Sequence, residues 1–299
     1  MISDKTKGIL CILSAAFCFA LMNLFIKLSG DVPTLQKAFF RNVVAMLVSF
    51  VLLRREHIAW NCAKGNWRTV LGRAIWGTVG IFCNFYAIDH LNISDASMLN
   101  KLSPFFAIIF SYFLLRERAK TYQLACVVVA LLGTCFILKP SGESLISFPA
   151  LIGMISGMTA GLAYTLLRKA TSKGVPKPFI IFFFSTFSCL ASVPYCVMHF
   201  TPMSWTQLTF LLLTGLAATG GQFSITAAYS FTPAKELSVY DYTQVIFAGV
   251  LGFFILGEIP DYLSILGYIT IIAAAIYMFV NDSSVRLLHK GGKKFGTHI

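Results

Sequence analysis

Residues 95–117, DASMLNKLSPFFAIIFSYFLLRE, return in altered form as residues 236–258, ELSVYDYTQVIFAGVLGFFILGE. Each stretch begins with an acidic residue and ends with Leu-x-Glu, and a gap-free shift of 141 positions aligns the two. The same shift aligns the longer segments 87–138 and 228–279. Duplicated apolar segments at a fixed distance predict a membrane protein that is built from two structural repeats, with a polar site between them.

The composition indicates a chain that lies in a membrane. Its 299 residues are 57% hydrophobic and 12% charged, against roughly 45–50% and about 25% in soluble domains. The net charge of +12 does not predict nucleic-acid binding, because the basic residues lie between apolar runs rather than on one face. The eight cysteines include no CxxC pair. We therefore expect no disulfide framework, no metal site and no cofactor.

Ten apolar runs have about the 17–25 residues that a transmembrane helix needs. They are residues 8–28, 35–53, 70–90, 95–115, 122–138, 148–168, 178–199, 207–228, 236–256 and 262–281. The expected fold is an all-α membrane protein with ten transmembrane helices. We predict a first five-helix repeat over residues 1–141, a second over residues 142–284 and a basic cytoplasmic tail over residues 285–299.

The distribution of Lys and Arg predicts the orientation of these spans. Alternate connecting segments are rich in Lys and Arg, whereas residues 91–94, 200–206 and 259–261 contain neither. Because positive loops stay in the cytoplasm, we expect both termini to be cytoplasmic and the protein to lie in the plasma (inner) membrane. Since each repeat crosses five times, the second copy enters from the opposite side. The prediction is therefore two inverted five-helix repeats.

Charged residues within the spans are the first candidates for a site. An ionisable group at membrane depth costs about 2.5–3.5 kcal/mol on insertion scales, so it is expected to face protein or water. The four candidates are Arg41, Lys101, Glu236 and Asp241. Arg41 and Lys101 are candidates to bind a carboxylate or phosphate, and Asp241, between Tyr240 and Tyr242, is a candidate to bind an amine. Opposite charges in one cavity favour a zwitterionic solute such as an amino acid or a compound similar to S-adenosylmethionine.

Each charge also has a structural interpretation that the sequence leaves open. Glu236 fits an acidic residue at a helix N-terminus, where the dipole favours it. Lys101 is long enough to reach the headgroups, and Arg41 fits an interhelical ion pair. If Glu236 or Asp241 titrates inside the cavity, either is a candidate for proton coupling.

Polar side chains on neighbouring spans complete the predicted substrate site. These further candidates are Asn84, Tyr86, Asn100 and Gln222, although hydrogen bonds between helices explain many such residues. The inverted arrangement predicts two gates at opposite ends of one cavity. Asn100 and Lys101 would form one gate, and Asp241 and Tyr242 the other.

Glycine and proline suggest where the spans pack and bend. Gly153, Gly157 and Gly161 form a GxxxGxxxG face, which predicts close approach of another helix. Pro104 lies inside the fourth span and removes a backbone hydrogen bond there. Val245 takes its place in the second copy, so the sequence leaves open whether the two central helices bend alike.

At these residues the chain resembles the EamA-type transporters of the drug/metabolite transporter superfamily. The resemblance rests on residues 86–87, 102–105, 114–117 and 256–258, and extends over about residues 8–280. It implies ten helices in two inverted repeats, with a cavity lined largely by spans one to four and six to nine. It also implies transport of small metabolites such as amino acids, amines, sugars, nucleotide-like compounds or S-adenosylmethionine.

The predicted function is secondary transport of a small organic metabolite by alternating access, without enzyme activity. Expected partners are the small-molecule substrate, a proton or counter-substrate, and the lipid bilayer. A homodimer is left open, and no nucleic acid is expected. The alternatives are a membrane scaffold or channel, and a lipid-modifying enzyme around Asp89 and His90, for which the sequence offers no catalytic constellation.

Overall fold

The chain folds into a bundle of helices. The computed structural model describes residues 4–60, 62–115, 120–138, 147–231 and 240–292, and these contain no strand. The helices are α1 (Asp4–Leu28), α2 (Thr34–Arg55), α3 (Trp67–His90), α4 (Ile93–Asn100), α5 (Ser103–Leu115), α6 (Thr121–Leu138), α7 (Phe148–Ser172), α8 (Lys177–Met198), α9 (Trp205–Phe231), α10 (Thr243–Leu251) and α11 (Tyr262–Gly292). A short π-helix, Gly252–Leu256, continues α10. The prediction of an all-α protein is confirmed.

Seven of the helical segments are long and apolar enough to cross a membrane, by length and composition alone. They are Thr6–Leu28, Thr34–Arg55, Ile93–Leu114, Phe148–Ser172, Lys177–Met198, Trp205–Ala228 and Tyr262–Asn281. The predicted fifth and ninth spans correspond to the shorter apolar helices Thr121–Ile137 and Thr243–Leu256. The third corresponds to α3, which is less apolar because it carries Arg68 and Arg73. Each predicted span therefore coincides with helix over most of its length, and residues 236–239 of the ninth lie outside the described ranges.

The bundle has an apolar outer surface, and polar side chains are buried among the apolar residues of its interior. Large apolar side chains are exposed on its surface, among them Phe113, Leu190 and Phe254. Polar side chains such as Gln36 and Asn42 are fully buried. Exposed apolar side chains in this number suit a bundle whose outer surface faces lipid, and the buried polar groups then face protein or water.

The helices of the two halves pack in matching pairs. The α1 helix packs along α9, and α3 packs along α7. The α2 helix packs on α8, and α6 packs on α11. In the numbering of the ten spans, these pairs are one with eight, six with three, two with seven and five with ten. Exchanging each span for its copy in the other half reproduces the same set of pairs.

The glycine face of α7 contacts the main chain of the fourth span. A Cβ atom at Gly157 would lie 2.4 Å from the carbonyl oxygen of Leu99, and one at Gly161 would lie 2.7 Å from that of Ser103. Backbone atoms cannot move aside without moving their helix. The prediction that this face permits close helix approach is confirmed.

The fourth span is interrupted in its middle. The α4 helix ends at Asn100 and α5 begins at Ser103, so Lys101 and Leu102 form a turn between them. Pro104 is the second residue of α5, where its lack of an N–H group is tolerated. The interruption therefore places Lys101 at a helix end within the bundle.

The second copy is interrupted at the equivalent residue. Tyr242, which the shift of 141 positions aligns with Lys101, forms a turn just before α10 begins at Thr243. Val245 stands where the first copy has Pro104. The two central helices are thus broken at matching positions, although only one of them contains a proline there.

Candidate functional site

A cavity lies in the middle of the bundle, between helices of both halves. It encloses about 80 Å³ of free space. Side chains of α1–α4 and α7–α10 line it, together with Lys101. These helices are spans one to four and six to nine, the set that the family resemblance implied. Five of the predicted site residues line it, namely Arg41, Asn84, Asn100, Lys101 and Gln222.

The two helix breaks meet beside this cavity in a buried ion pair. Lys101 Nζ lies 2.7 Å from Asp241 Oδ2, and both side chains are almost fully buried. The Tyr242 hydroxyl donates a hydrogen bond of 3.1 Å to the main-chain carbonyl of Lys101. Asp241 Oδ1 has no hydrogen-bond partner among the described residues. The two broken spans are therefore joined to each other at their equivalent turns.

This contact corrects the prediction of two gates at opposite ends of the cavity. Lys101 was expected at one end and Asp241 at the other, yet the two side chains touch. The physical reason is that each charge, buried alone, would be uncompensated, whereas contact lets each offset the other. The amine that Asp241 binds in this structure is the Lys101 ammonium.

Two arginines of the cavity lining meet at the ring of Phe184 in α8. The guanidinium carbon of Arg73 lies 4.4 Å from the ring centroid, and that of Arg41 lies 5.8 Å from it. Arg41 is 2% exposed and Arg73 is 5% exposed. Within the described part of the chain, neither forms an ion pair. The two guanidinium groups therefore contact an aromatic ring rather than a carboxylate.

The energies of cation–π contact and of charge burial indicate that the charges of Arg41 and Arg73 are only partly compensated. A cation–π contact contributes about 0.5–2 kcal/mol, whereas each buried charge costs about 2.5–3.5 kcal/mol on insertion scales. Arg41 donates a hydrogen bond to Asn42 through Nη1. Its Nε, and both Nε and Nη1 of Arg73, have no acceptor among the described residues. The two arginines thus carry buried donors that nothing in the described protein satisfies.

Gly77 provides the space that the Arg73 guanidinium occupies. A Cβ atom at this position would lie 2.0 Å from Arg73 Nη1 and 2.8 Å from the Phe184 ring. An alanine at this position would therefore displace the guanidinium, although Arg73 would keep its charge. This glycine positions an arginine, in contrast to the packing glycines of α7.

Three amides add neutral polar groups to the lining. Asn100 donates a hydrogen bond of 3.2 Å to the hydroxyl of Ser156. The Asn84 oxygen has no donor among the described residues, and Gln222 also lines the cavity. Together with the arginines, they offer both donors and acceptors to a small polar solute.

Some predicted site residues lie elsewhere. Tyr86 stacks on His90 with ring centroids 4.1 Å apart, and Tyr240 packs edge-to-face against Phe279. The structure does not bring either ring to the cavity lining. Glu236, a candidate for proton coupling, lies outside the described residues.

Sequence reasoning missed several lining residues. Arg73 lies within the predicted third span, and a charge at that depth was the signal that identified Arg41. It was overlooked because it follows the basic loop that contains Arg68. Tyr164 and Gln244 also line the cavity. Phe184 gave no signal, because phenylalanine is common throughout apolar helices.

Two ion pairs lie at the end of the bundle opposite the N-terminus of α1. Lys27 Nζ lies 3.3 Å from Glu258 Oε1, and Glu258 also accepts a hydrogen bond of 2.8 Å from the Ile93 N–H. Beside them, Lys37 forms an ion pair with Asp89. Within the described ranges, no group of three or more His, Cys, Asp or Glu side chains could hold a metal ion.

A helical bundle with an apolar exterior and a charged central cavity has the architecture of a membrane transporter. The chain belongs to the EamA-like transporter family, whose model matches residues 6–139 and again residues 147–280. The resemblance stated from the sequence is confirmed. The protein is therefore an integral multi-pass membrane protein that transports a small molecule, and it belongs to a family of transporters rather than of enzymes.

Two relatives with named substrates are metabolite transporters. The pseudopaline exporter CntI of Pseudomonas aeruginosa (strain UCBPP-PA14) is 31% identical over 279 residues, which cover 92% of this chain and 97% of the exporter. An S-adenosylmethionine uptake transporter of Rickettsia prowazekii (strain Madrid E) is 22% identical over 200 residues, or 66% of each chain. One crystal structure matches with a TM-score of 0.64 at 15% identity, over 91% of this chain and 96% of its own. That likeness concerns the fold alone.

Proposed function

We propose that the protein is a secondary transporter that moves a small organic metabolite by alternating access. The observation that carries this proposal is a charged cavity between helices of both halves, with two ion pairs at one end of the bundle. In the proposed cycle, two repeats, residues 1–141 and 142–284, rock about the cavity so that it opens to one side at a time. Residues 285–299 form a cytoplasmic tail.

Two features support an inverted relation between the repeats. The packing pairs of the spans are unchanged when each span is exchanged for its copy, as a two-fold axis requires. In addition, Tyr242 bonds to Lys101, the residue aligned with it in the other copy. Contact between an element and its own copy is expected where such an axis passes.

The proposed topology predicts that both termini lie on the cytoplasmic side of the inner membrane. Reporters that are active only in the cytoplasm or only outside it, fused in turn to Met1 and Ile299, should give the same result at both ends. Ten crossings require this, because an even number returns the chain to its starting side. Reporter activity on opposite sides would contradict the ten-span arrangement.

The names of the relatives support a metabolite-sized substrate. One is an exporter and another an uptake transporter, which fits a carrier whose net direction follows the gradients. A counter-substrate, or a proton carried on Asp241 or Glu236, would couple the cycle. Among the residues proposed to bind the substrate, Arg41, Asn84, Asn100, Lys101 and Gln222 line the cavity.

Counterflow tests the carrier mechanism and separates it from a channel. Liposomes that contain the purified protein are loaded with an unlabelled solute and diluted into a trace of the same solute with a label. A panel of carboxylic acids, amino acids, amines and S-adenosylmethionine should include one label that accumulates transiently above its equilibrium level. A carrier exchanges one molecule for another, whereas a channel only equilibrates. No overshoot with any solute would contradict the proposal.

A further inference from the structure

We propose that the substrate carries an oxyanion, a carboxylate or a phosphate, which Arg41 and Arg73 bind together beside the ring of Phe184. This inference rests on the proposed transport function and assigns the substrate class of the same cavity. It replaces the zwitterionic solute that the sequence favoured, because Asp241, the group expected to hold an amine, is paired with Lys101.

The charges that line the cavity do not cancel. Lys101 is neutralised by Asp241 at 2.7 Å. Arg41 and Arg73 remain ionised, since a guanidinium is not deprotonated in proteins, and neither forms an ion pair with a described residue. The described lining therefore has two positive charges in excess. A ligand with one or two negative charges removes part or all of that excess.

Three N–H donors of the two arginines lack the acceptor that such a ligand would supply. Arg41 Nε, Arg73 Nε and Arg73 Nη1 are buried and have no acceptor in the described part of the protein. Phe184 lies close to both guanidinium groups, but a ring offers them no lone pair. A carboxylate or phosphate has several lone pairs and forms charge-assisted hydrogen bonds with guanidinium groups. An oxyanion between Arg41 and Arg73 therefore satisfies donors on two helices at once.

Two further observations fit a site for a small charged group. The space of about 80 Å³ is well below the roughly 300–1,000 Å³ of a pocket for a drug-sized ligand, so this state accommodates an oxyanion group rather than a whole metabolite. Gly77 leaves the room in which Arg73 Nη1 lies. The rest of the substrate enters when the helices around the cavity separate.

Thermal unfolding of the purified full-length protein in detergent tests the proposal. Succinate, glutamate and inorganic phosphate are titrated, with succinamide and putrescine as neutral and cationic counterparts and sodium chloride at matched ionic strength. We expect at least one acid to raise the unfolding temperature in a saturable manner, because a ligand that binds only the folded state stabilises it. Succinate and phosphate distinguish a carboxylate site from a phosphate site.

Variants assign this binding to the two arginines. Arg41→Gln and Arg73→Gln should each raise the apparent Kd of the acid at least tenfold. Gly77→Ala should also weaken binding, since it displaces the Arg73 guanidinium but keeps its charge. Arg54→Gln is the matched control, because Arg54 also lies on α2 and 5.8 Å from a phenylalanine ring, yet outside the cavity. It should leave the Kd unchanged.

The unliganded variants provide a second measurement. If the arginines hold the fold together, Arg73→Gln should lower the unfolding temperature of the protein without ligand. If they form an anion site, removal of an uncompensated charge should leave that temperature unchanged or raise it. A clear decrease, with unchanged acid binding, would overturn the inference.

The outcomes separate this inference from the transport function. Stabilisation by neutral or cationic solutes alone, or equal acid binding by Arg41→Gln, Arg73→Gln and Arg54→Gln, would refute the oxyanion site. If counterflow then occurs with a neutral or cationic solute, the transport proposal survives. Acid binding that depends on both arginines, without counterflow of any solute, would support the site and contradict transport.

Discussion

Asp241→Asn should destabilise the protein by about 3–5 kcal/mol, because it leaves the buried Lys101 ammonium without its counter-charge. The ion pair is short, at 2.7 Å, and both side chains are nearly inaccessible to solvent. The Asn amide retains the shape of the carboxylate but not its charge. A decrease of several degrees in the thermal unfolding midpoint in detergent would report this loss.

A double variant separates the lost charge from the lost shape. Lys101→Met combined with Asp241→Asn leaves no uncompensated charge, so it should recover most of the stability. Counterflow should remain impaired in the double variant, since Lys101 lines the cavity. Asp4→Asn is the control, because the Lys7–Asp4 pair is exposed and such pairs contribute less than about 1 kcal/mol. Equal effects of Asp4→Asn and Asp241→Asn would show that burial does not strengthen the inner pair.

Gly157→Ala should lower the stability of the protein, whereas Gly249→Ala should not. The new methyl group at Gly157 would lie 2.4 Å from the carbonyl oxygen of Leu99, whereas one at Gly249 would meet nothing within 4 Å. Overpacking costs about 1–3 kcal/mol, and alanine in a helix interior is favoured over glycine by about 1 kcal/mol. The first variant should therefore unfold at a lower temperature than the unmodified protein, and the second at an equal or higher one.

The two glycine variants are compared in the same detergent and at the same protein concentration. Both positions lie inside helices, so the change in helix propensity is common to them and the difference reports the contact with Leu99. Unfolding midpoints that agree within error would mean that α7 does not pack on the main chain of the fourth span.

The positions of the helices followed from the sequence because lipid imposes a simple rule. A span must be long, apolar and hydrogen-bonded within itself, and each predicted run has those properties over most of its length. The repeat at residues 95–117 and 236–258 also indicated that these two segments are equivalent. Their matching breaks at Lys101 and Tyr242 were not predictable, since Val245 replaces Pro104 in the second copy.

The composition of the site was predictable in part, but its contacts were not. Polar residues within apolar runs had to face protein, and Arg41, Lys101 and Gln222 do line the cavity. Which of them touch depends on how the helix faces are oriented, and this is not encoded in linear spacing. The Lys101–Asp241 pair therefore joined residues that had been assigned to separate gates. Arg73 was recognisable by its depth within a span.

Two ion pairs, Lys27–Glu258 and Lys37–Asp89, lie at one end of the bundle. Separated charges are rehydrated by water, and this compensates much of the attraction that is lost. Separating the helices at this end therefore costs little free energy where solvent can reach the separated charges. Apolar side chains packed across the same width would be exposed to water at each turnover, with no comparable compensation.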